Sequence, residues 1–446
     1  MQRKRILTLM ALIMVFVMLS SGMVSAATTA PASSQSVKGA VEKIYANPTV
    51  QKGMAFIKAD EAKTVEDLIT ICEIPAPPFK EKVRAEYYMK RLQELGLKDV
   101  KMDSEGNVFG VRSGTGKGPI LLVAAHLDTV FPEGTDVTVK KDEDGILHAP
   151  GIGDDTAALA SLLSIIRAFQ DTGIKTVGDI IFCGDVGEEG LGDLRGVKAL
   201  FDNNKNIDGF ISIEPGSPDR ITYLATGSHR YEVTFKGPGG HSFGAFGTPS
   251  PIHAMGRAIA KIAEIQVPQE PKTTFTVGVV NGGTSVNSIA EQCMMQVDMR
   301  SNDEEQVLRT EVLFKAAVYE ALDEENQRWN SDKGTIVADM KMVGDRPAGS
   351  QDENSPIIQT KWAASEVMGE TPQLSGPSST DSNFPISIGV PAITIGCGGS
   401  SGNSHAPTEW FNPKDYYKGA QNNFLTILTL VGVDGVAEPT LPMRQK

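Results

Sequence analysis

Pro119-Ile120-Leu121-Leu122-Val123-Ala124-Ala125-His126-Leu127-Asp128 is the stretch that decides the fold. Everything from Ile120 to Ala125 is aliphatic, so the run reads as a strand buried on both faces rather than a half-exposed one. Two polar side chains, His126 and Asp128, follow at its carboxyl end. Strands buried on both faces belong to α/β sheets, and ligands of such sheets gather beyond the carboxyl ends of the strands.

The same grammar recurs outward from this run. Asp179 to Gly184 is a second buried strand, followed by Gly187-Glu188-Glu189-Gly190. Phe210 to Ile213 is a third, and it ends at Glu214 before Pro215. Between them, Thr156 to Phe169 forms an apolar helix that starts directly after Gly151-Ile152-Gly153-Asp154-Asp155. Upstream, Val37 to Cys72 has helical periodicity. Glu81 to Leu95 reads as an amphipathic helix with Val83, Tyr87, Leu92 and Leu95 on one side and Gly96 as its stop. Asn107 to Val111 starts a strand pattern. The alternation implies an α/β sheet with helices on both faces.

After about Ile221 the pattern changes. Tyr231 to Phe235 alternates as a strand, Pro249 to Ile265 reads as a helix, and Thr273 to Val280 and Cys293 to Met299 read as strands. Glu304 to Leu322 reads as a long helix and Thr335 to Val343 as a last strand. The order β-α-β-β-α-β suggests a ferredoxin-like insertion. From Arg346 the α/β style returns, with helices at Ser355 to Val367 and Tyr416 to Val431 and a strand at Ala392 to Ile395. The expected division is a leader at residues 1–27, a first catalytic part at 28–224, the insertion at 225–345 and a second catalytic part at 346–446.

The composition permits this. At 446 residues the chain is too long for one ordinary core. With 40% hydrophobic and 22% charged residues it has an ordinary globular mix, and a formal charge of −13 argues against a nucleic-acid surface. Arg3, Lys4 and Arg5, the apolar run Ile6 to Leu19, and Val24-Ser25-Ala26-Ala27 follow the order of a secretory signal peptide; an uncleaved anchor is the alternative. The expected location is therefore secreted, periplasmic or extracellular. Export permits disulfides, but no Cys-x-x-Cys pair exists. Cys183 and Cys397 lie in apolar strand-like runs, so buried free thiols are expected at Cys72, Cys183, Cys293 and Cys397, with pairing left open.

The polar residues at the strand ends suit metal chemistry. Zinc takes imidazole nitrogen, carboxylate oxygen or thiolate, and a hydrolytic metal pair needs a bridging carboxylate plus terminal ligands. An aspartate two residues after His126 can orient the imidazole, although a core-edge histidine would look the same. Asp154 and Asp155 can bind a cation or cap the helix that follows. Adjacent Glu188 and Glu189 after a buried strand are costly unless a cation holds one, and the other can then handle the proton of an attacking water. A solvated acidic turn is the alternative. His405 lies in Gly402-Asn403-Ser404-His405-Ala406-Pro407-Thr408-Glu409, after the Ile395 strand.

With these residues in place, the chain resembles the co-catalytic zinc exopeptidase family of glutamate carboxypeptidase, peptidase T, aminoacylase and succinyl-diaminopimelate desuccinylase. The resemblance runs from about Val65 to Val431. It rests on His126-Leu127-Asp128-Thr129-Val130, Gly187 to Gly190, and Gly239-Gly240-His241-Ser242. It implies a zinc-peptidase-type mixed sheet flanked by helices, with an inserted ferredoxin-like domain through which subunits pair as homodimers. By resemblance, His126 and Glu214 bind one zinc, Glu189 and His405 bind the second, and Asp154 bridges the two. Asp128 orients His126, Glu188 is the general base, and His241 polarises the scissile carbonyl, often across the dimer. Asn287 and Arg300 hold the carboxylate end of the substrate. Thr156 departs from the pattern, standing where many relatives carry lysine.

The implied activity is a secreted, two-zinc exopeptidase acting on short peptides, with cobalt or manganese as alternative ions. An N-acyl amino acid deacylase breaks the same kind of bond with the same ligands. A reading of another class, a peptide- or metal-binding protein without catalysis, is disfavoured by the presence of Glu188.

Overall fold

The computed structural model describes residues 34–329 and 332–445; the leader read at residues 1–27 lies outside them. Four helices come first: α1 (Gln35–Tyr45), α2 (Pro48–Ala59), α3 (Glu61–Cys72) and α4 (Lys82–Glu94). Strands β1 (Lys98–Met102), β2 (Val108–Arg112) and β3 (Ile120–His126) follow, then two short strands, β4 (Lys140–Lys141) and β5 (Leu147–His148). Next are α5 (Thr156–Thr172), β6 (Asp179–Asp185), α6 (Arg195–Asn203), β7 (Gly209–Glu214) and β8 (Arg220–Thr222).

The inserted segment comprises β9 (Gly227–Lys236), β10 (Gly240–His241), α7 (Pro251–Ala263), β11 (Thr273–Gly282), β12 (Ser288–Ile289), β13 (Gln292–Ser301), α8 (Glu304–Trp329) and β14 (Val337–Arg346). The chain then returns through α9 (Pro356–Val367), β15 (Gln373–Ser375), α10 (Asn383–Ser387), β16 (Ala392–Gly396), β17 (Ser400–Gly402), β18 (Trp410–Asn412) and α11 (Tyr417–Val431).

The main sheet is mixed and eight-stranded, in the order β1-β2-β6-β3-β7-β16-β8-β15. Its centre, β6-β3-β7-β16, is parallel. The period of two along a strand divides β3 between two cores. Leu121, Val123 and Ala125 face the larger one, built with α5 and α11, whereas Leu122 and Ala124 face a smaller one with Val197 and Phe201 of α6. That double burial is why the run carries no polar residue before His126. Phe169 of α5 meets Phe424 of α11 edge to face at 4.8 Å between ring centres. Each such fully buried side chain contributes about 1.5–3 kcal/mol.

The inserted sheet is antiparallel, in the order β11-β13-β9-β14. Tyr231, Val233 and Phe235 of β9 and Cys293, Met295, Val297 and Met299 of β13 pack under α7 and α8 in a separate core. The alternate residues of both strands lie on the helix-free face. β10 and β12 form a small ribbon of their own. All four cysteines are buried and unpaired. Among the described residues, no helix is long and apolar enough to cross a membrane.

Candidate metal centre

Three adjacent strands bring the first polar groups together. His126 ends β3, Glu214 ends β7, and the loop after β6 carries Glu188 and Glu189. His126, Glu188, Glu189 and Glu214 are all buried, so the glutamates are not a solvated turn. Asp154 is held between two imidazoles: its Oδ1 lies 3.0 Å from His126 Nε2 and its Oδ2 lies 3.3 Å from His405 Nε2. His405 Nε2 also lies 2.9 Å from Glu189 Oε1. The candidate ligand atoms of His126, Asp154 and Glu189 fall within 4.8 Å of one another, and so do those of His126, Asp155 and Glu214.

Asp155 does not cap helix α5 with its side chain. Its Oδ2 accepts the backbone N–H of His126 at 3.0 Å, and its Oδ1 is buried with no hydrogen-bond partner. Asp128 does more than accompany the histidine. His126 Nδ1 lies 3.0 Å from the backbone carbonyl of Asp128 and 3.8 Å from its carboxylate. That carboxylate instead accepts the N–H groups of Gly187 at 2.8 Å, Glu188 at 3.2 Å and Glu189 at 2.8 Å. Gly187 is needed in this turn because its φ is 76° and an added Cβ would meet the Arg195 side chain at 2.7 Å.

The electrostatics are those of a cluster short of positive charge. Burial pushes the Glu214 and Asp155 carboxyls well above the ordinary range, and their neighbouring carboxylates add to it. Burial raises Glu188 to about 7, against the opposing pull of Arg346. Burial would also raise Asp154, but hydrogen bonds from His126 and His405 outweigh it and hold that carboxyl well below its usual value. The His405 imidazole is pushed up to about 10 by Asp154 and Glu189. Buried nitrogen and carboxylate donors, one oxygen of them orphaned, fit a hydrolytic divalent-cation site.

Sequence reasoning missed several groups around this cluster. Fully buried Glu409 accepts the N–H groups of Gly151, Gly153 and Asp154, each at 2.9 Å, and so sets the loop that presents Asp154. Its signal was its place four residues after His405. Arg346 Nη1 lies 3.2 Å from Glu188 Oε1 and 3.1 Å from Ser379 Oγ, and its Nη2 donates to the Glu188 carbonyl. Arg220, Arg230 and Arg346 line a cavity of about 410 Å³ together with Asp154, Glu188, Glu189, Glu214, His405 and the expected Arg300.

The two other expected residues are elsewhere within one subunit. His241 and Asn287 do not line this cavity. They sit exposed on the β10–β12 ribbon, where Ser242 N–H donates to the Asn287 carbonyl at 3.0 Å. His241 Nδ1 accepts the N–H groups of Phe243 and Gly244, both at 3.2 Å. The physical reason is topological: the ribbon is not hydrogen-bonded into either large sheet.

A helix-flanked mixed sheet with a buried histidine and buried carboxylates at its strand ends, plus an inserted antiparallel domain, defines a metal-dependent hydrolase architecture. Residues 122–428 match the model of peptidase family M20/M25/M40, and the chain belongs to that family of hydrolases. A succinyl-diaminopimelate desuccinylase of Aromatoleum aromaticum is 29% identical over 221 residues, 45% of this chain and 56% of that protein, so the chain spans just over half the length of this curated relative. Aminopeptidase PepT from Bacillus cereus superposes with a TM-score of 0.65 at 21% identity, covering 82% of this chain and 98% of that one. A Bacillus subtilis protein described as a dinuclear metal binding peptidase superposes at 0.60 with 16% identity, covering 84% and 99%. At these identities the structural likeness is one of fold.

Proposed function

We propose that this chain is an exopeptidase of two divalent cations that removes terminal residues from short peptides. The observation that carries the reading is Asp154 gripped between His126 and His405, with Glu189 beside His405 and Glu188 next in sequence. In this reading His126 and Glu214 would hold one ion and Glu189 and His405 the other, with Asp154 shared and Asp155 beside His126 and Glu214. Bound zinc supplies Lewis acidity toward the scissile carbonyl and toward water. Glu188, largely buried but lining the cavity, takes a proton from the attacking water on its carboxylate and passes it to the leaving amine. Asp128 and Glu409 fix the two loops so that neither glutamate nor Asp154 must reorganise during turnover. Arg300 receives the terminal carboxylate of the substrate.

The desuccinylase relative favours a second reading, an N-acyl amino acid deacylase, which needs the same proton transfers. One experiment separates them. Metal content is measured by mass spectrometry, and products are profiled from mixed short peptides and N-acyl amino acids with and without chelator. Chelator-sensitive release of amino acids from peptides supports the exopeptidase; release from acyl substrates alone supports the deacylase. A metal-loaded protein that cleaves neither refutes both.

Pairing of two subunits through the inserted domain is part of the proposal. Strand β11 is an edge strand that exposes Val279 and Val280, the kind of edge that a second copy covers. Sedimentation of the protein as a monomer at micromolar concentration would count against it.

A further inference from the structure

Strand register gathers arginines on the helix-free face of the inserted sheet. Ser228 of β9 pairs with Arg300 of β13 on one side and with Arg346 of β14 on the other. Arg230 is two residues further along β9, on the same face, and pairs with Asp298. The Asp298 carboxylate holds both neighbours by their inner edges: Arg230 Nε donates to Oδ1 at 3.0 Å and Arg300 Nε to Oδ2 at 2.7 Å. The terminal nitrogens of Arg300 carry no hydrogen bond to another described residue, and that side chain is 41% exposed. Arg230 Nη1 donates to the Gly190 carbonyl, in the loop that carries Glu189, and its Nη2 is left over.

Arg230, Arg300 and Arg346 line the cavity that contains the metal-centre carboxylates. Arg220, Arg230, Arg300 and Arg346 bring their charges there, and among the described residues only Asp298 and Glu188 pair with them within salt-bridge distance. Burial, and after it the adjacent Arg346 and Arg300, lower the Arg230 guanidinium from its ordinary value, while the Asp298 carboxylate opposes them. With Asp154, Glu189 and Glu214 taken up by the proposed ions and Glu188 by Arg346, one terminal carboxylate seated on Arg300 leaves Arg220 and the Arg230 Nη2 without an anionic partner among the described residues. The unused Arg230 Nη2 donates a charge-assisted hydrogen bond, which a carboxylate oxygen accepts most strongly.

We infer that the substrate carries a second carboxylate, on the residue or acyl group next to the scissile bond, and that Arg230 is the residue that selects it. The inference rests on the exopeptidase or deacylase reading above and narrows it to acidic substrates. It makes Arg230 a specificity-determining residue whose main-chain contact at Gly190 also ties the selecting sheet to the loop of the metal centre.

The test uses the full chain loaded with zinc. Values of kcat/KM are compared for Ala-Glu against Ala-Gln and for N-acetyl-glutamate against N-acetyl-glutamine, in the parent protein and in R230Q and R230K. Binding of glutarate and of its monomethyl ester is measured by calorimetry, which needs no turnover. The expected preference for the dicarboxylate is about 10- to 100-fold in both measurements. It collapses in R230Q and is partly restored in R230K, a pattern that general loosening of the fold would not produce. Equal binding of glutarate and its ester by the parent protein, or an undiminished preference in R230Q, overturns the inference. If the glutarate preference stands but no substrate is cleaved, the catalytic reading fails and the anion subsite survives.

Discussion

Replacing Asp128 separates two jobs that the sequence alone merges. If its carboxylate served only to orient His126, Asp128→Asn would leave the Gly187–Glu189 turn untouched. The geometry says otherwise, because Oδ1 accepts two N–H groups and Oδ2 a third, all within a fully buried pocket. Asparagine keeps one acceptor oxygen but turns an NH₂ toward a backbone N–H. That loses a charge-assisted bond worth about 1.5–3 kcal/mol and sets donor against donor, so D128N is expected to cost about 2–4 kcal/mol. Alanine strands all three donors at about 1–3 kcal/mol each, a large part of the 5–15 kcal/mol that holds a typical domain together. D128A is therefore expected to accumulate poorly, and D128N is the informative variant. Urea unfolding followed by tryptophan fluorescence gives the stability change, and metal content and kcat are read on the same preparation. A D128N protein within about 0.5 kcal/mol of the parent, at or below the usual effect of a neutral surface change, would refute the three-amide role.

Other consequences can be checked directly. Glu188→Gln is expected to retain both metals by mass spectrometry while kcat falls about 10²- to 10⁴-fold, the usual contribution of a positioned base. If His241 acts across a subunit interface, H241A and E188Q proteins, each nearly inactive alone, should regain activity when unfolded and refolded together; absence of any regain would remove His241 from the reaction. His229 in the inserted sheet gives a pH test, since its Nδ1 lies 2.5 Å from Glu311 and its Nε2 3.4 Å from Asp345. Hydrogen bonding to Asp345 and then to Glu311 raises the imidazole, so its stabilising share is complete below the unfolded value near 6.5 and is lost as pH climbs through the raised folded value. The Asp345 and Glu311 carboxyls are both lowered, so their share disappears only as pH falls through those lowered values. Thermal unfolding of H229Q should therefore lack the share of the alkaline decline that His229 is expected to contribute in the parent.

Much of the architecture was legible because double burial leaves a trace in sequence. The apolar runs of β3, β6, β7 and β16 carry no charged residue between their ends, only the small buried hydroxyls of Ser212 and Thr394, so His126 and Glu214 announce themselves by position. The inserted domain was legible through the alternation in β9 and β13, whose even-numbered residues are polar apart from Met294 because only the other face meets α7 and α8. What stayed hidden depends on contacts between segments far apart in the chain. Glu409 reaches Gly151 across 258 positions and Arg346 reaches Glu188 across 158. A glutamate in a loop and an arginine at a strand end look locally like surface charges. Asp155 was hidden for another reason: beside Asp154 at a helix start it mimics a cap, and only the direction of its carboxylate toward His126 tells the two apart. Helix α6 escaped because its nine residues are entered through Asp193 and Leu194 in left-handed conformations, which no local pattern announces.

The two sheets divide the work, and that division explains how one metal centre can serve many substrates. The main sheet and the loops after β5 and β17 supply every group that touches the proposed ions or the moving proton, with those loops and the turn after β6 fixed by buried carboxylates at Glu409 and Asp128. The inserted sheet supplies Arg230, Arg300 and Arg346, which touch no proposed ion. Exchange of a residue on the helix-free face of β9 or β13 alters what is held without changing the packed face two positions away in register, because successive side chains point to opposite faces. Exchange at Asp128, Glu409 or Asp155 cannot be so contained, since each leaves buried N–H groups or a buried charge without a partner. Specificity can therefore change along the inserted sheet while the chemistry stays in place.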